Sequence, residues 1–187
     1  LPEDRGTFPD AELPFEPLPA GKHGIGFDPL RSSREATVYG HCLKAIDLVL
    51  DGRMGAHGLP LIGTGDWNDG LDEIGSQGRG ESVWLGFFLG TVLRTFAELC
   101  EQRGDPERAA RYRSEVTRLT AMLELAWDGE WYLRGYFDDG TPLGSARNSG
   151  GRIDPLPPAW AMLSGSGPPR RAARARRPRA AGPRPCG

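Results

Sequence analysis

A chain of 187 residues, 38% of them hydrophobic, is long enough for one soluble domain with a real core. Its formal net charge of −2 conceals a split, because residues 168–187 hold seven Arg and no acid, which leaves 16 basic and 25 acidic residues and a net charge of −9 in residues 1–167. This acidic body lacks the clustered Lys and Arg of nucleic-acid-binding proteins, so we predict no nucleic-acid partner.

Residues 1–31 are predicted to be an extended connecting segment, because they are rich in Pro and Gly and show no helical period. The first ten residues carry acids and prolines where a secretory signal has basic and apolar stretches, so nothing there predicts export. Ser32 and Glu35 then form the Ser-x-x-Glu pattern, in which the two side chains satisfy free amide donors at a helix start. The apolar positions that follow recur every three or four residues and predict a helix over 33–50.

Two further helices are predicted as an inner and an outer one. Residues 81–103 begin with SVWLGFFLGTVL, which is apolar nearly all round, as in an interior helix. No apolar run approaches the roughly 20 residues of a membrane helix, so no membrane segment is predicted. Asp105 and Pro106 then supply a cap and a proline at the first position of the next helix. A single apolar stripe predicts that this helix is an outer one: Tyr112, Val116, Leu119, Leu123 and Ala126.

The chain changes character after residue 126. Residues 127–144 contain Asp-Gly twice among aromatic residues, which predicts a short β-hairpin or ordered loops. Another helix start is indicated before Leu163, although Pro157 and Pro158 stand at positions that a helix interior would not accept. Residues 164–187 are predicted to be a disordered, low-complexity Arg/Pro-rich tail. That tail could bind nucleic acid or anionic lipid, but its composition fits better with translation of a GC-rich gene in the wrong frame.

The cysteines indicate a reducing compartment. Cys42, Cys100 and Cys186 show no metal-ligand spacing, and the first two fall on apolar faces of predicted helices. Buried, reduced thiols behave as small hydrophobic residues and favour the cytoplasm, which is therefore the predicted location.

The chemistry is predicted to lie in the glycine-rich segment 55–86, between the first two helices. There Asp66-Trp67-Asn68-Asp69-Gly70 sets an aromatic face beside two carboxylates and an amide, the groups with which a protein holds a sugar and protonates an oxygen on it. Asp and Asn beside Gly are also favoured in turns, because their side chains bond their own backbone, so a purely structural loop stays open. A helix-loop-helix calcium site does not fit, because Gly70 is fifth from Asp66 rather than sixth.

Three stretches of the chain together closely resemble glycoside hydrolase family 94. They are HCLKAIDLVL, then GLPLIGTGDWNDGLDEIGSQGRGESVWLGFFL, and then WDGEWYLRGYFDDGTPLGS. That family comprises inverting phosphorylases, including cellobiose phosphorylase and the phosphorylase-like domain of cyclic β-1,2-glucan synthase. The resemblance implies an all-α fold, a partial (α/α)6 barrel or toroid over residues 32–163, with the hairpin as an insertion. It also implies that β-linked glucans or β-glucosides react with phosphate to give α-glucose 1-phosphate, with phosphate as co-substrate and no metal or other cofactor.

The same resemblance assigns the site. Asp69 would be the general acid and Trp67 would line the sugar site, while Asp66 and Asn68 could bond sugar hydroxyls or simply shape the loop. Phosphate is already an anionic nucleophile, so one proton donor suffices where an inverting hydrolase needs two carboxylates. To act, Asp69 must be protonated near neutral pH, which requires burial or a nearby like charge such as Asp66 or Asp72.

Each of three flanking residues has two possible roles. Glu81 could face the sugar cavity or stabilise the dipole of the inner helix from its first turn. Arg79 could approach phosphate or sugar, or form a salt bridge. His57 has the same choice between a ligand contact and packing within the loop.

The chain is expected to be a fragment of a larger barrel. The sugar-site residues that the family places upstream and the phosphate-binding residues that it places downstream have no counterparts, and residues 148–154 read NSGGRID where the family has a Glu near the acceptor sugar. We therefore expect no turnover from the isolated chain, whose parent is either a free enzyme or the cytoplasmic-face domain of a membrane synthase. The alternative is a non-catalytic carbohydrate-binding or structural fragment.

Overall fold

A computed structural model describes residues 5–6, 36–167 and 171, with the backbone alone for Arg5, Gly6 and Asp69. The predicted connecting segment, the Ser32–Glu35 capping pattern and the predicted tail beyond residue 167 therefore lie outside the described residues, apart from residues 5, 6 and 171. The chain divides into two units, Leu1–Gly52 and Arg53–Gly187.

The first unit contains a two-stranded antiparallel sheet and one helix. Strand β1 (Arg5–Gly6) pairs with β2 (Ala36–Thr37), and helix α1 spans Val38–Gly52. The predicted helix start at residue 33 is wrong, because residues 36–37 are extended. The Thr37 hydroxyl accepts the Gly40 N–H at 3.0 Å, so Thr37 supplies the hydrogen bond at the helix start.

The second unit is built on two long helices, α2 (Val83–Gln102) and α3 (Pro106–Leu125), joined by three residues. Both caps are side chains: Ser82 accepts the Leu85 N–H at 3.2 Å, and Asp105 accepts the Arg108 N–H at 3.0 Å. The pair and the Asp105-Pro106 start are confirmed. The predicted start of the first helix at residue 81 is wrong, because that residue belongs to a strand.

Three short strands form an antiparallel sheet in the order β3 (Glu81–Ser82), β4 (Gly135–Tyr136), β5 (Pro142–Leu143). Glu81 lies opposite Tyr136, and Ser82 lies opposite Gly135. The hairpin predicted from residues 127–144 is thus confirmed, whereas β3 was not predicted. Successive side chains of a strand point to opposite faces, so those of Glu81 and Ser82 leave β3 in opposite directions.

Helix α4 spans Leu156–Leu163, which confirms the helix start indicated before Leu163. Pro157 and Pro158 do not interrupt it, because they occupy the first turn, where an N–H has no partner within the helix. The first helical bond runs from the Ala159 N–H to the Pro155 carbonyl, at 3.1 Å. Trp160 on α4 makes edge-to-face contacts with two rings of α2, Trp84 and Phe88.

One hydrophobic core joins these elements in the second unit. It is formed by side chains of α2, α3, α4, the hairpin region and the loop before β3: Leu59, Val83, Phe87, Leu123, Ala126, Tyr132, Leu133, Tyr136 and Ala161. Each large apolar side chain buried in this way stabilises the fold by roughly 1.5–3 kcal/mol. The core therefore fixes the sheet against the helices, and the sheet in turn fixes the loop that precedes β3.

Helix α2 is 20 residues long and apolar enough to cross a bilayer by length and composition alone. The core helices of soluble proteins share these properties, and eight residues of α2 are buried within the protein. The composition of α2 therefore does not by itself identify a membrane span. Across the described residues, helices carry the fold and the sheet is small, which confirms the predicted all-α class.

Candidate active site

The predicted central segment, Asp66 to Gly70, is fixed at its first residue. The Asp66 side chain is 0% exposed and accepts the Ser82 hydroxyl at 2.8 Å. Arg134 Nη2 lies 2.7 Å from each oxygen of this carboxylate. A buried carboxylate without such partners would be strongly unfavourable. Of the two roles considered from the sequence, the structure favours Asp66 as a residue that shapes the loop.

Arg134 is the cation that meets Asp66, and it is 2% exposed. Its guanidinium also donates from Nη1 to the Ser82 hydroxyl at 3.1 Å and from Nε to Asp154 Oδ2 at 3.0 Å. The planar guanidinium suits this role because its five donors point in fixed directions. We call Arg134, Asp66, Ser82 and Asp154 the Arg134 junction. Within it, one cation meets two carboxylates, so the ionised junction has a net charge of −1.

Ser82 links the junction to α2. Its hydroxyl donates to Asp66, accepts from Arg134 and, as the helix cap, accepts the Leu85 N–H. A hydroxyl has one hydrogen and two lone pairs, so all of its hydrogen-bonding capacity is used. The start of α2 and the base of the loop therefore share one oxygen atom.

The rest of the loop is bonded to this base. The Asn68 N–H donates to Asp66 Oδ1 at 3.1 Å, and Asn68 Oδ1 accepts the Gly70 N–H at 3.0 Å. Asn68 thereby caps a 3₁₀ turn, Asp69–Leu71, which contains the predicted general acid. The Asp69 side chain lies outside the described residues. The capping bond favours a role for Asn68 in shaping the loop.

Trp67 lies between these two anchored residues and is 66% exposed. Large exposed aromatic rings are unusual enough to suggest a binding role, because an indole offers a flat apolar face. The backbone around Trp67 is fixed by the bonds of Asp66 and Asn68. The indole is thus presented outward from a constrained loop, an arrangement suited to packing against the C–H face of a sugar ring.

Glu81 lies on the other face of β3 and is 1% exposed. Its carboxylate accepts the N–H groups of His57 and Leu59, each with an oxygen at 3.0 Å, and lies 2.7 Å from His57 Nδ1. The predicted position of Glu81 in the first helical turn is wrong, because the residue precedes the Ser82 cap. These bonds instead hold the loop 55–59, where an added methyl group at Gly55 would come within 2.3 Å of the Glu81 side chain.

His57 is oriented by this contact and stacks on Tyr136, with ring centroids 3.8 Å apart and planes 6° apart. Burial raises the pKa of Tyr136, and the neighbouring carboxylates of Glu81 and Asp128 raise it further. The phenol therefore stays neutral at physiological pH. Of the two interpretations of His57, the structure supports the packing role, since its ring joins Glu81 to the hairpin.

Arg79 is exposed, and two of its side-chain nitrogens donate hydrogen bonds within the described part of the protein. Its Nη2 donates to Gln77 Oε1 at 2.8 Å and its Nε donates to the Asp138 carbonyl at 3.0 Å. The Asp138 carboxylate accepts the N–H groups of Gln77, Arg79 and Gly80 at 2.7–2.8 Å. Burial acts to raise the pKa of Asp138, but these three donors outweigh it and hold the pKa below its ordinary value.

Sequence reasoning missed the residues that hold the loop, Ser82, Arg134 and Asp154. Ser82 carried a signal, because a Ser directly before an apolar helical run is a typical N-cap. Arg134 carried a weaker one, since it alternates with Tyr132 and Tyr136 along the hairpin and shares their predicted buried face. Its partners lie 68, 52 and 20 residues away in the sequence, and no spacing rule connects them.

Comparison with known proteins identifies relatives of several activities. The chain is 45% identical over 168 residues to the cyclic beta-(1,2)-glucan synthase NdvB of Rhizobium meliloti (strain 1021), covering 88% of this chain and 6% of that protein. It is 43% identical over 135 residues to the 3-O-beta-D-glucopyranosyl-beta-D-glucuronide phosphorylase of Paenibacillus borealis, covering 72% and 17%. It is 30% identical over 141 residues to the N,N'-diacetylchitobiose phosphorylase of Vibrio furnissii, covering 74% and 17%.

The chain thus spans less than a fifth of the length of each of these relatives. Residues 25–177 match the family described as the glycosyl hydrolase 94 superfamily, catalytic domain. The catalytic domain of that family is a helical toroid, with which the paired helices α2 and α3 agree. Because the match covers most of the sequence, the chain belongs to the glycosyl hydrolase 94 superfamily.

Proposed function

We propose that this chain forms part of the catalytic domain of an inverting β-glucoside phosphorylase or of a cyclic β-1,2-glucan synthase. The reaction would cleave a β-glucosidic linkage with inorganic phosphate and give α-glucose 1-phosphate. The family membership supports this proposal, as do relatives that are phosphorylases and a cyclic glucan synthase. Phosphate serves as co-substrate, and no metal or organic cofactor takes part.

The observation that carries the proposal is the construction of the loop from Asp66 to Gly70. Its base is buried in the Arg134 junction, while Trp67 is 66% exposed. Asp69 follows two residues after that indole, in a turn capped by Asn68. A fixed backbone that carries an aromatic residue and, two positions later in the sequence, a carboxylic acid supports protonation of a bound sugar as the chemistry.

In the proposed mechanism, a phosphate oxygen attacks the anomeric carbon from the face opposite the leaving group. The new C–O bond forms as the glucosidic C–O bond breaks, and the departing oxygen takes the proton of Asp69. The configuration inverts from β to α. One carboxylic acid suffices because phosphate brings its own negative charge, whereas attack by water would need a second carboxylate as base. Trp67 holds the sugar ring during this transfer.

The test is Asp69→Asn in the longest natural protein that contains this sequence, assayed for release of glucose 1-phosphate from β-linked glucans. We expect a loss of about 10²–10⁴-fold in kcat, the usual contribution of a positioned proton donor. With an aryl β-glucoside whose phenol leaves readily, the loss should be much smaller, because that oxygen needs little protonation.

Glu73→Gln is the matched control, since Glu73 is an exposed carboxylate that lies four residues after Asp69. It should keep kcat within about threefold of the wild type, well short of the loss expected for a proton donor. Ordinary phosphorolysis by Asp69→Asn, or an equal loss in both variants, would contradict the assignment. For the chain of 187 residues alone we propose no turnover, and phosphate-dependent release of glucose 1-phosphate from it would overturn that part.

A second candidate function, carbohydrate binding without catalysis, is favoured by the exposure of Trp67 alone. Calorimetric titration of the 187-residue chain with β-glucan oligosaccharides, with and without phosphate, separates the two. Binding that phosphate leaves unchanged, and that Trp67→Ala removes, would support the binding function. Leu125→Ala is the control, because Leu125 is also strongly exposed but lies at the end of α3.

We also propose a cytoplasmic location for the protein. Cys42 carries a free thiol, as expected in a reducing compartment. Protease protection of an epitope-tagged protein in intact and permeabilised cells tests this location, and digestion before permeabilisation would contradict it.

A further inference from the structure

The loop that carries the proposed acid is held by one buried contact whose partners come from distant parts of the chain. Its carboxylate is that of Asp66, which is fully buried, and the partners are the cap of α2 and the arginine that precedes β4. Asp69 lies three residues beyond Asp66. The loop itself supplies no apolar anchor at this point, because Trp67 faces outward.

The contact reaches Asp69 through two short hydrogen-bonded steps. Asp66 accepts the Asn68 N–H, and Asn68 in turn accepts the Gly70 N–H with its side chain. The Leu71 N–H also bonds the Asn68 carbonyl, at 3.1 Å. The backbone on both sides of Asp69 is thus tied to the position of the Asp66 carboxylate.

Arg134 is itself held firmly on the opposite side of the contact. Its N–H donates to the Leu143 carbonyl at 2.8 Å, and its carbonyl accepts the Val83 N–H at 3.2 Å. Gly144 packs directly against it, since a methyl group there would lie 3.0 Å from the Arg134 Cβ. Asp154 accepts the Nε–H of the guanidinium at 3.0 Å. Arg134 is therefore restrained at its backbone, at its Cβ and at its guanidinium, and it can hold the loop of Asp66 in one place.

We infer that Arg134 and Ser82 are positioning residues for the proton donor. They do not touch substrate; they fix Asp66, and through Asn68 they set where the Asp69 turn sits. This inference rests on the proposed function, because it assigns them a share in the rate of that reaction. The expected effect is large for two residues outside the chemistry, since a displacement of about 1 Å at a reacting group can cost about 10²-fold in rate.

Ser82→Ala and Asp105→Ala form a matched pair that separates positioning from stability. Each removes the side-chain cap of a long helix, and each therefore weakens the fold by a comparable amount. Only the Ser82 hydroxyl also bonds Asp66 and Arg134. Any difference between the two variants in the behaviour of the Asp66 loop is therefore due to the lost bonds of the Arg134 junction and not to the loss of a helix cap.

In the longest natural protein that contains this sequence, Ser82→Ala should lower kcat for phosphorolysis by about ten- to 100-fold, with KM for glucan and phosphate within about threefold. Asp105→Ala should leave kcat unchanged. The Ser82→Ala loss should shrink with an aryl β-glucoside whose phenol leaves readily, and Ser82→Thr, which keeps the hydroxyl, should restore most of kcat. Arg134→Lys keeps the charge but loses the planar fork, and should lower kcat in the same way.

Hydrogen exchange in the 187-residue chain gives a second readout. Amides of residues 66–71 should exchange faster in Ser82→Ala than in Asp105→Ala. Equal kcat in these two variants, an equal loss for both leaving groups, or unchanged exchange in residues 66–71 would overturn the inference. If Asp69→Asn loses phosphorolysis while Ser82→Ala keeps the wild-type kcat, only the inference fails. If Asp69→Asn remains active, the proposed function fails instead.

Discussion

The α2–α3 pair and the Arg134 junction are both buried, but they are held together in different ways. The helices bury many apolar side chains, each of which contributes a few kcal/mol at most. The junction buries one arginine against two carboxylates, and each group depends on the others for its charge. Loss of one contact should therefore weaken the helix pair locally, whereas loss of one partner should leave the junction with an unpaired buried charge.

The two regions should differ most in how much stability is lost when an arginine is replaced. Arg134→Met should lower the free energy of unfolding by about 3–5 kcal/mol, because it leaves Asp66 charged, buried and without its cation. Urea unfolding of the purified chain measures this change.

Arg113→Met is the control for the helical region. Arg113 pairs with Glu101 between α3 and α2, but both side chains are about half exposed. Its replacement should leave the unfolding midpoint nearly unchanged, because solvent screens such pairs. Equal unfolding midpoints for Arg134→Met and Arg113→Met would show that the buried charge of Arg134 stabilises the fold no more than the exposed charge of Arg113 does.

Two glycines extend the contrast to the backbone. A methyl group at Gly135 would lie 2.3 Å from the Glu81 carbonyl oxygen, whereas one at Gly90 in α2 would meet no atom within 4 Å. Gly135→Ala should therefore cost about 1–3 kcal/mol by overpacking. Gly90→Ala should instead stabilise the chain by roughly 0.5–1 kcal/mol, because alanine is the better helix former. Thermal unfolding followed by circular dichroism compares them, and a loss in both would contradict the open space at Gly90.

The smallest expected effect is a pH dependence of the unfolding free energy that is caused by Asp138. Three N–H donors hold the pKa of Asp138 below the ordinary value of 3.8. The unfolded state therefore takes up a proton first as the pH falls. The stabilisation by Asp138 is full above pH 3.8 and disappears as the pH falls through the lower folded pKa. Asp138→Asn should remove this dependence.

The measurement is the difference in unfolding free energy between the wild type and Asp138→Asn at pH values from 6 down to below 3.8. The difference should stay constant at first and then shrink. A difference that is independent of pH over the whole range would show that the three N–H bonds do not distinguish the ionised carboxylate from the neutral one.

The same contrast decides what the sequence could predict. The α3 start was readable because Asp105 and Pro106 are adjacent and each acts through local backbone bonds. The motif Asp66-Trp67-Asn68-Asp69 was recognisable for the same reason, since its residues are consecutive in the sequence. Strand β3 has two residues and no period, so Glu81 and Ser82 were assigned to the helix that follows them. The helix start at α4 could be indicated despite its prolines because the cost of proline depends on position within the helix, and Pro157 and Pro158 lie in the first turn.

The function of Asp66 could not be read in this way. Its role is set by Arg134, which is 68 residues away and reaches it only because the hairpin pairs with β3. A carboxylate in a motif can bind a ligand or hold the motif in place, and the choice depends on partners that folding brings together. The sequence therefore singled out the candidate segment without distinguishing the residues that would act from those that support them.

Strand β3 has a consequence for how related sequences can vary. Its two side chains point to opposite faces, Glu81 to the loop 55–59 and Ser82 to Asp66. Inserting or deleting one residue between Gly80 and Val83 would exchange these directions. The Ser82 hydroxyl would then face the loop 55–59, and the Glu81 carboxylate would face the Asp66 carboxylate. Homologous proteins should thus tolerate length changes at the hairpin tip, around Gly140, while keeping the number of residues across β3 constant.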